Sequence, residues 1–547
     1  MPAELASAPT DDLEAGRAPS RGRWGSLLPG LLLALAVLVL LAPFAHADPP
    51  ARLTGSNAPF TDEGFNLANA RNRTLFGRFA TDDVDRSLSN GAYSAVAAAV
   101  FRVTGARLAA GRAISMASLA AAVLLLAVGL AEPFGRRIAL LAAASLGGTD
   151  LALEHGRLAL VEPLVVVLLT AAFVAGCAVR RRPSRALTAL AGLLLAAAVS
   201  VKATALLPGL VLLVGPLLPA LAARDRARLS AGLWALLAAL AAALAWFVLV
   251  ALPNLERLRT ALRIWPEVHY PGSPGALAAR LGDYLAHSDQ AVGRSLPLLA
   301  AAALGLAAAA ARWRSLDARR REALLLAAGW GLGLWAAIAV GDYAPNRYVV
   351  PALPALAVLA GFGLDALAGL AAGRSRAPAR RPGSPPGEGA PADGAALVVD
   401  EAGGRGHVPP PRQAPWRAAV VAGALGVAVA APGVGRFLAD ADQGAGQRVR
   451  AERALAARLP EGATVYGAYA PTLLFDTRVR TVSPWLPAEA NVDDPVGRLG
   501  VTHVLVGGPG DPTGQVPAFR DRAAMTPLAQ VTWDGQELVL YRVAPAG

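Results

Sequence analysis

The feature that most constrains this chain is a set of long stretches without a single charge, among them Leu27–Leu41, Leu119–Leu130 and Leu233–Leu252. A helix crossing a bilayer needs about 20 consecutive apolar residues, and with their apolar flanks several of these stretches reach that length. The composition agrees. Hydrophobic residues make up 55% of the 547 positions and charged residues only 16%, against roughly 25% charged in an ordinary soluble domain. A single soluble globule, a disordered chain and a disulfide scaffold are excluded. Cys177 is the only cysteine and lies in an apolar run, so neither an intrachain disulfide nor a cysteine metal cluster can form.

The formal net charge is +12, and Lys202 is the only lysine among 51 basic residues. Such a surplus can indicate nucleic-acid binding. Here the arginines gather in short loops between apolar segments, a pattern of membrane orientation, and nucleic acid is not an expected partner. About eleven spans are predicted, near 26–44, 113–131, 138–153, 158–178, 187–201, 204–222, 231–252, 296–311, 323–341, 348–371 and 418–434. Alternate loops hold the arginines: Arg136–Arg137, Arg180–Arg182 with Arg185, Arg224/Arg226/Arg228, Arg312/Arg314/Arg319–Arg321, and the connection 372–417. The opposing short loops hold only Arg157, Lys202 or Arg347. The positive-inside rule places the first set in the cytoplasm. A cell-membrane protein follows, with residues 1–25 cytoplasmic and 435–547 extracytoplasmic. Arg21, Arg23, an apolar run and Ala45-His46-Ala47 together look like a signal peptide. The apolar run exceeds the usual 7–15 residues, which favours an uncleaved anchor.

The remaining segments are read from composition and periodicity. Residues 46–112 form a large external loop in which Ala92–Val103 is apolar but too short to span, and so lies at the interface. A second external loop, 253–295, carries Trp265, His269, Tyr270 and Tyr284 as interfacial anchors. The Pro-, Gly- and Arg-rich stretch 372–417 reads as a disordered cytoplasmic linker. Beyond 435 the pattern is that of a small α/β domain. A helix is predicted over Arg448–Leu459 and strands over Ala463–Tyr466, Val501–Val506, Leu528–Trp533 and Glu537–Val543, with Asp534-Gly535 as a hairpin turn. The expected fold class is therefore mainly α, a polytopic membrane protein with a small extracytoplasmic α/β domain.

Chemistry-bearing residues collect on the external side. Asp62 and Glu63 follow the first span; Asp82, Asp83 and Asp85 come about twenty residues later; Glu154, His155 and Arg157 precede the fourth span. Glu162 enters that span with Pro163 behind it, and an acid inside the membrane is costly and points to function. His155 and Glu162 are seven apart, a spacing that puts two residues on one helix face. A pairing of Glu162 with Arg157 is the structural alternative. Lys202 and Arg347 sit at external membrane ends, where snorkelling to headgroups is the alternative to an anion site. No phosphate-binding loop, dinucleotide fingerprint or His-rich metal spacing is present.

Four stretches together resemble the lipid-linked-sugar glycosyltransferases of the GT-C fold, specifically the superfamily of protein mannosyltransferases and aminoarabinose transferases. They are the motif Asp62-Glu63-Gly64-Phe65 through Asn72; Asn90-Gly91-Ala92-Tyr93 through Gly105, with Arg112; Gly156-Arg157 through Glu162-Pro163, followed by Val201-Lys202; and Asn346-Arg347-Tyr348 through Pro354. They cover most of 26–371, the transmembrane catalytic region, in family order. Phe65 stands where many members have Tyr, and Gly91-Ala92 where the family often has Pro-Pro. The resemblance implies an inverting transfer of a hexosyl or pentosyl unit from a polyprenyl-phosphate sugar to an extracytoplasmic hydroxyl on lipid, glycan or protein. It implies Asp62 as base with Glu63 beside it, Asp82, Asp83 and Glu162 toward sugar or acceptor, and Arg157, Lys202 and Arg347 toward phosphate. It assigns no metal ligand and leaves a divalent cation, Mg or Mn, open. Two rivals share the span pattern. A transporter or flippase explains Glu162 but not the acidic first loop, the external domain or the lack of repeats. An envelope-glycan polymerase or ligase would also gather external charges.

Overall fold

A computed structural model describes residues 21–50, 53, 59–180, 184–263, 272–279, 291–339, 345–372, 415–441 and 446–544. The predicted linker, residues 373–414 of it, lies outside them, as do Trp265, His269, Tyr270 and Tyr284. The chain is mainly helical. Among the described residues eight helices are long and apolar enough to cross a membrane: Ser26–His46, Leu108–Phe134, Glu162–Val179, Ala203–Ala222, Arg226–Arg263, Arg294–Ala311, Asn346–Ala371 and Arg417–Asp440. Each overlaps one of the eleven expected spans. The expected span 187–201 is a shorter apolar helix, Arg185–Val201, and 323–339 of the expected span 323–341 lies in Ala318–Ala339. The expected span 138–153 is not one helix but two, Arg136–Gly147 and Asp150–Gly156. The break falls where Gly148 meets the Pro415–Ala441 helix: a Cβ on Gly433 would stand 2.1 Å from the Gly148 carbonyl oxygen. That approach leaves no room for a regular side-chain-bearing helix.

Burial separates the helices into two kinds. Leu353–Ala371 is enclosed along most of its length, with Leu356, Val358 and Leu359 fully buried. Arg226–Trp246 is the opposite: Leu233, Leu237, Leu240 and Leu244 are each more than half exposed. An apolar helix bare on nearly all sides is stable facing lipid, not water.

After α1 (Arg21–Leu41), which carries the first span, come α2 (Asp62–Phe76) and α3 (Gly91–Thr104), the latter a helix over the expected stretch Ala92–Val103. Both end on glycines with left-handed φ, Gly77 at 76° and Gly105 at 77°, a conformation that costs a residue with a Cβ.

The C-terminal region contains the Gln447–Ala456 helix and a five-stranded sheet: β1 (Thr464–Tyr466), β2 (Arg480–Val482), β3 (His503–Val506), β4 (Thr526–Trp533) and β5 (Gln536–Arg542), in the order β2-β1-β3-β5-β4. β1 pairs in parallel with β2 and β3; β5 runs antiparallel to β3 and β4. Four strands coincide with expectation, while β2, three residues long, was not anticipated. The Asp534-Gly535 turn has φ of 50° and 73°, the left-handed pair that a two-residue hairpin requires.

This sheet domain does not stand apart from the membrane region. The Gly64 N–H donates to Thr472 Oγ1 at 3.0 Å, and that hydroxyl donates to the Thr61 carbonyl at 2.5 Å. A Cβ on Gly64 would lie 2.4 Å from the Thr472 nitrogen, so the glycine of the acidic motif is where the C-terminal domain seats. Buried Arg71 donates to the carbonyls of Phe475, Thr477 and Val479 at 2.7–2.8 Å. α2 is thereby clamped from one side by the sheet domain and from the other by the spans.

Candidate functional site

Four distant segments converge at the membrane end of α2. Asp62 is the first residue of that helix. Glu162 opens the Glu162–Val179 helix, with Pro163 in its first turn. There proline loses nothing, because the first N–H groups of a helix have no internal acceptor, and the carboxylate faces the positive end of the helix dipole. Lys202 caps the C-terminus of Arg185–Val201. Arg347 lies in the 3₁₀ segment Asn346–Ala352 that leads into Leu353–Ala371.

Their side chains form one ionic chain. Asp62 Oδ2 stands 3.0 Å from an Arg347 guanidinium nitrogen, and Arg347 Nε is 3.9 Å from Glu162 Oε1. The Lys202 ammonium donates to the same Glu162 oxygen. Tyr348 completes the group, its ring centroid 3.8 Å from Lys202 Nζ and 5.4 Å from the Arg347 guanidinium carbon, close enough for cation–π attraction. Exposure grades along this chain. Glu162 and Lys202 are buried, while Asp62 retains 29% of its side-chain surface and Arg347 18%. The carboxylate of Asp62 is the member open to an incoming group. Glu162 Oε2 and the hydroxyl of buried Tyr93 have no hydrogen-bond partner.

Several expectations are corrected here. Lys202 does not snorkel outward; it is buried against Glu162. Glu162 pairs with Lys202 and Arg347, not with Arg157. His155 and Glu162 do not share a helix face, because Asp150–Gly156, which holds His155, ends before Glu162 and the chain unwinds over 157–161. The seven-residue spacing spans a break between two helices. His155 instead places Nδ1 2.9 Å from the Leu151 carbonyl within its own turn.

Glu63, next to Asp62, is fully buried. Arg112 grips it with two nitrogens, Nε to Oε1 at 2.8 Å and Nη2 to Oε2 at 2.7 Å, and the Ala159 N–H donates to Oε1 at 2.8 Å. Burial pushes the Glu63 carboxyl up, but Arg112 and the Ala159 N–H pull it further down, so it ends below the ordinary range. Arg112 also donates to the carbonyls of Ala45 and Ala47, at 2.9 and 2.7 Å. Arg157, buried nearby, donates to the Ala47 and Asp48 carbonyls at 3.4 and 3.1 Å. Glu63 and Arg157 thus hold the end of the first span, the start of α2 and the 157–161 connection together.

Asp82 and Asp83 lie at the seam with the sheet domain, and no ion pair joins them to the Asp62 chain among the described residues. Asp83 accepts the Asn491 N–H at 3.0 Å and pairs with Arg498 at 2.5 Å, and its own N–H donates to Asn491 Oδ1 at 2.9 Å. Half-buried Asp82 accepts the Val84 N–H at 3.0 Å. Burial, with a smaller push from Asp83, raises its pKa to about 6 against the pull of Val84 and Arg480. Beside them Arg86 stacks over the rings of Phe65 and Trp485, 5.4 and 4.7 Å from their centroids.

Sequence reasoning quoted Tyr348 and Arg112 within motifs but gave neither a role at the site. An aromatic next to Arg347 was the available signal for Tyr348. Nothing in the sequence signalled Arg294, which pairs with Asp150, Glu154 and Asp440 to tie three helices together. Among the described residues no group of three or more His, Cys, Asp or Glu is placed to hold a metal ion. The donor set at Asp62 consists of cations as much as acids and does not fit Mg or Mn.

The backbone around this site follows a known architecture. The chain matches the crystal structure of ArnT from Cupriavidus metallidurans with a TM-score of 0.62 and 16% identity, over 96% of this chain and 99% of that one. The fold is that of ArnT. The undecaprenyl-phosphate-bound form of ArnT matches with a TM-score of 0.60, at 16% identity, over 95% of this chain and 99% of that one. The archaeal oligosaccharyltransferase AglB from Archaeoglobus fulgidus, in complex with an inhibitory peptide and a dolichol-phosphate, matches at 0.52 and 13% identity, over 88% of this chain and 69% of that one. No protein-family model matches the chain, and no curated relative does. At these identities the likeness establishes a shared GT-C-type membrane fold extending through the C-terminal domain.

Proposed function

We propose that the protein is a membrane glycosyltransferase that moves a hexosyl or pentosyl unit, with inversion, from a polyprenyl-phosphate carrier to a hydroxyl on an acceptor outside the cell membrane. The observation that carries this reading is the convergence of Asp62, Arg347, Glu162, Lys202 and Tyr348 from four segments, with Asp62 at the open end. Support also comes from the fold shared with ArnT, one of whose structures holds undecaprenyl phosphate. The arginine-rich loops support the orientation, placing the site and the sheet domain outside.

The chemistry needs three things. A phosphate carried on the anomeric carbon is already a good leaving group. A base must take the proton of the acceptor hydroxyl as its oxygen attacks that carbon, and general-base assistance contributes about 10²–10⁴-fold. Asp62 has the exposure for this role. As the bond from the anomeric carbon to the phosphate oxygen breaks, the electron pair leaves with the phosphate, and cations must meet the growing charge. Arg347 and Lys202 are the groups for that task, with Tyr348 holding both. Glu162 keeps Lys202 in place, and its unpartnered Oε2 is suited to accept a hydrogen bond from a sugar hydroxyl. Glu63 and Arg157 act as positioning residues, fixing the start of α2 and the entry to Glu162. Asp82 and Asp83 join the sheet domain to the acceptor side.

The test is Asp62→Asn in membranes or liposomes supplied with polyprenyl-phosphate sugars. Transfer falls by about 10² or more while the melting temperature is unchanged. Transfer at the wild-type rate removes Asp62 as base. Mass-spectrometric comparison of envelope glycolipids and glycoproteins, with and without the gene, identifies sugar and acceptor.

A further inference from the structure

At helix ends away from the Asp62 cluster lies a second charged centre built around Glu322, in the second turn of Ala318–Ala339. Arg180, at the C-terminal end of Glu162–Val179, stands 3.1 Å from Glu322 Oε1, and Arg228 of Arg226–Trp246 stands 3.8 Å from Oε2. Arg228 also pairs with Asp225 at 3.1 Å. Two cavities meet at this centre and share Arg228 and Glu322 in their walls. The smaller, about 320 Å³, is lined by Arg180, Asp225 and Arg319 besides those two. The larger, about 870 Å³, is walled chiefly by apolar side chains such as Leu210, Val214, Leu218 and Leu325, with Arg321 at its charged end. Both volumes fall in the range of roughly 300–1,000 Å³ found for small-ligand sites.

The charges do not balance. Among the described residues that line the two cavities, Arg180, Arg228, Arg319 and Arg321 face Asp225 and Glu322, a surplus of two positive charges (four minus two). Arg321 Nε is buried without a hydrogen-bond partner, and its guanidinium lies 5.9 Å from the Trp313 ring. The adjoining apolar wall belongs to Ala203–Ala222, a segment long and apolar enough to span the membrane. An occupant must therefore be apolar along its body and anionic at one end, and must enter from within the bilayer. Water-soluble anions lack the first property and neutral lipids the second.

We infer that this cavity pair is a binding site for an anionic phospholipid, its acyl chain along Leu210, Val214, Leu218 and Leu325 and its phosphate between Arg228 and Arg321. The site is separate from the Asp62 cluster and does not depend on the glycosyltransferase reading. The phosphate would tie together the ends of two helices, Arg226–Trp246 and Ala318–Ala339, in the way basic pockets between membrane helices hold anionic head groups.

The test uses the full-length protein, delipidated in a neutral detergent and titrated with phosphatidylglycerol or phosphatidylcholine. Retained lipid is counted by native mass spectrometry and the melting temperature is followed in parallel. The wild type retains phosphatidylglycerol at least about tenfold more strongly, the scale of one charge-assisted contact, and is stabilised by it alone. Arg228→Gln combined with Arg321→Gln removes this preference. Should that variant fail to fold, Leu218→Trp, which fills the apolar cavity and leaves the arginines, must also weaken retention of phosphatidylglycerol. Equal retention of both lipids by the wild type, or undiminished preference in a folded double variant or in Leu218→Trp, overturns the assignment.

Discussion

Asp62 and Glu63 are adjacent in sequence and of like chemistry, yet the fold gives them opposite surroundings. Asp62 faces an opening with one partner, Arg347. Glu63 points into the protein, where Arg112 and Ala159 satisfy it from three directions. The two stand at the first turn of one helix, about 100° apart around its axis at 3.6 residues per turn. A single step in sequence thus separates a partly exposed carboxylate from one locked in place. The same division recurs more widely: the Asp62–Arg347–Glu162–Lys202 chain ends at an accessible carboxylate, whereas the Asp82–Asp83 loop is consumed in joining the sheet domain.

The sharpest way to break this comparison is Glu63→Gln. Leaving Arg112 buried and unpaired is expected to destabilise the protein by roughly 3–5 kcal/mol, visible as a large fall in melting temperature. Asp62→Asn leaves the melting temperature alone. Equal effects on stability would mean the two acids are not differently employed.

Next in size is Lys202→Met. It leaves Glu162 buried with only the more distant Arg347, so the melting temperature falls, and the donor KM rises about tenfold to a hundredfold, the worth of one charge-assisted contact at roughly 1.5–3 kcal/mol. Adding Glu162→Gln restores the melting temperature but not the KM. Recovery of both in steady-state assays would mean that Lys202 serves only to neutralise Glu162.

A smaller effect is expected at Asp82. Its pKa is raised from 3.8 to about 6, so the folded state holds the proton more tightly than the unfolded one. This contribution is fully present below about pH 4 and is lost as pH rises through about 6. Asp82→Asn therefore raises the melting temperature above that window and has little effect below it. A shift independent of pH would show that the loop reads shape and not charge. Smallest is Arg498→Ala. Its pair with Asp83 is part-exposed, so the loss is within about 1 kcal/mol. A larger loss in a denaturation curve would make this seam a main support of the fold.

The sequence made the membrane class legible because bilayer thickness imposes one length on every span. Eight expected spans, the short helix α3 and the Asp534-Gly535 hairpin all rest on rules that act over a few neighbouring residues. The expected span 138–153 failed because its break at Gly148 answers to Gly433, nearly three hundred positions away, and β2 was missed because it opens on the charged Arg480, whereas the equally short β1 is Thr-Val-Tyr. The family resemblance put Asp62 forward as base and left Glu63 beside it; that Asp62 opens outward while Glu63 is gripped inside was decided by where Arg112 and Thr472 approach α2. Charge, hydropathy and motif order by themselves determined a polytopic protein with its chemistry gathered at one membrane face. Only the tertiary structure decided that Lys202 neutralises Glu162, that Arg347 reaches Asp62, and that the sheet domain closes over Gly64, because pairing between distant segments depends on how the helices pack and leaves no local trace in sequence.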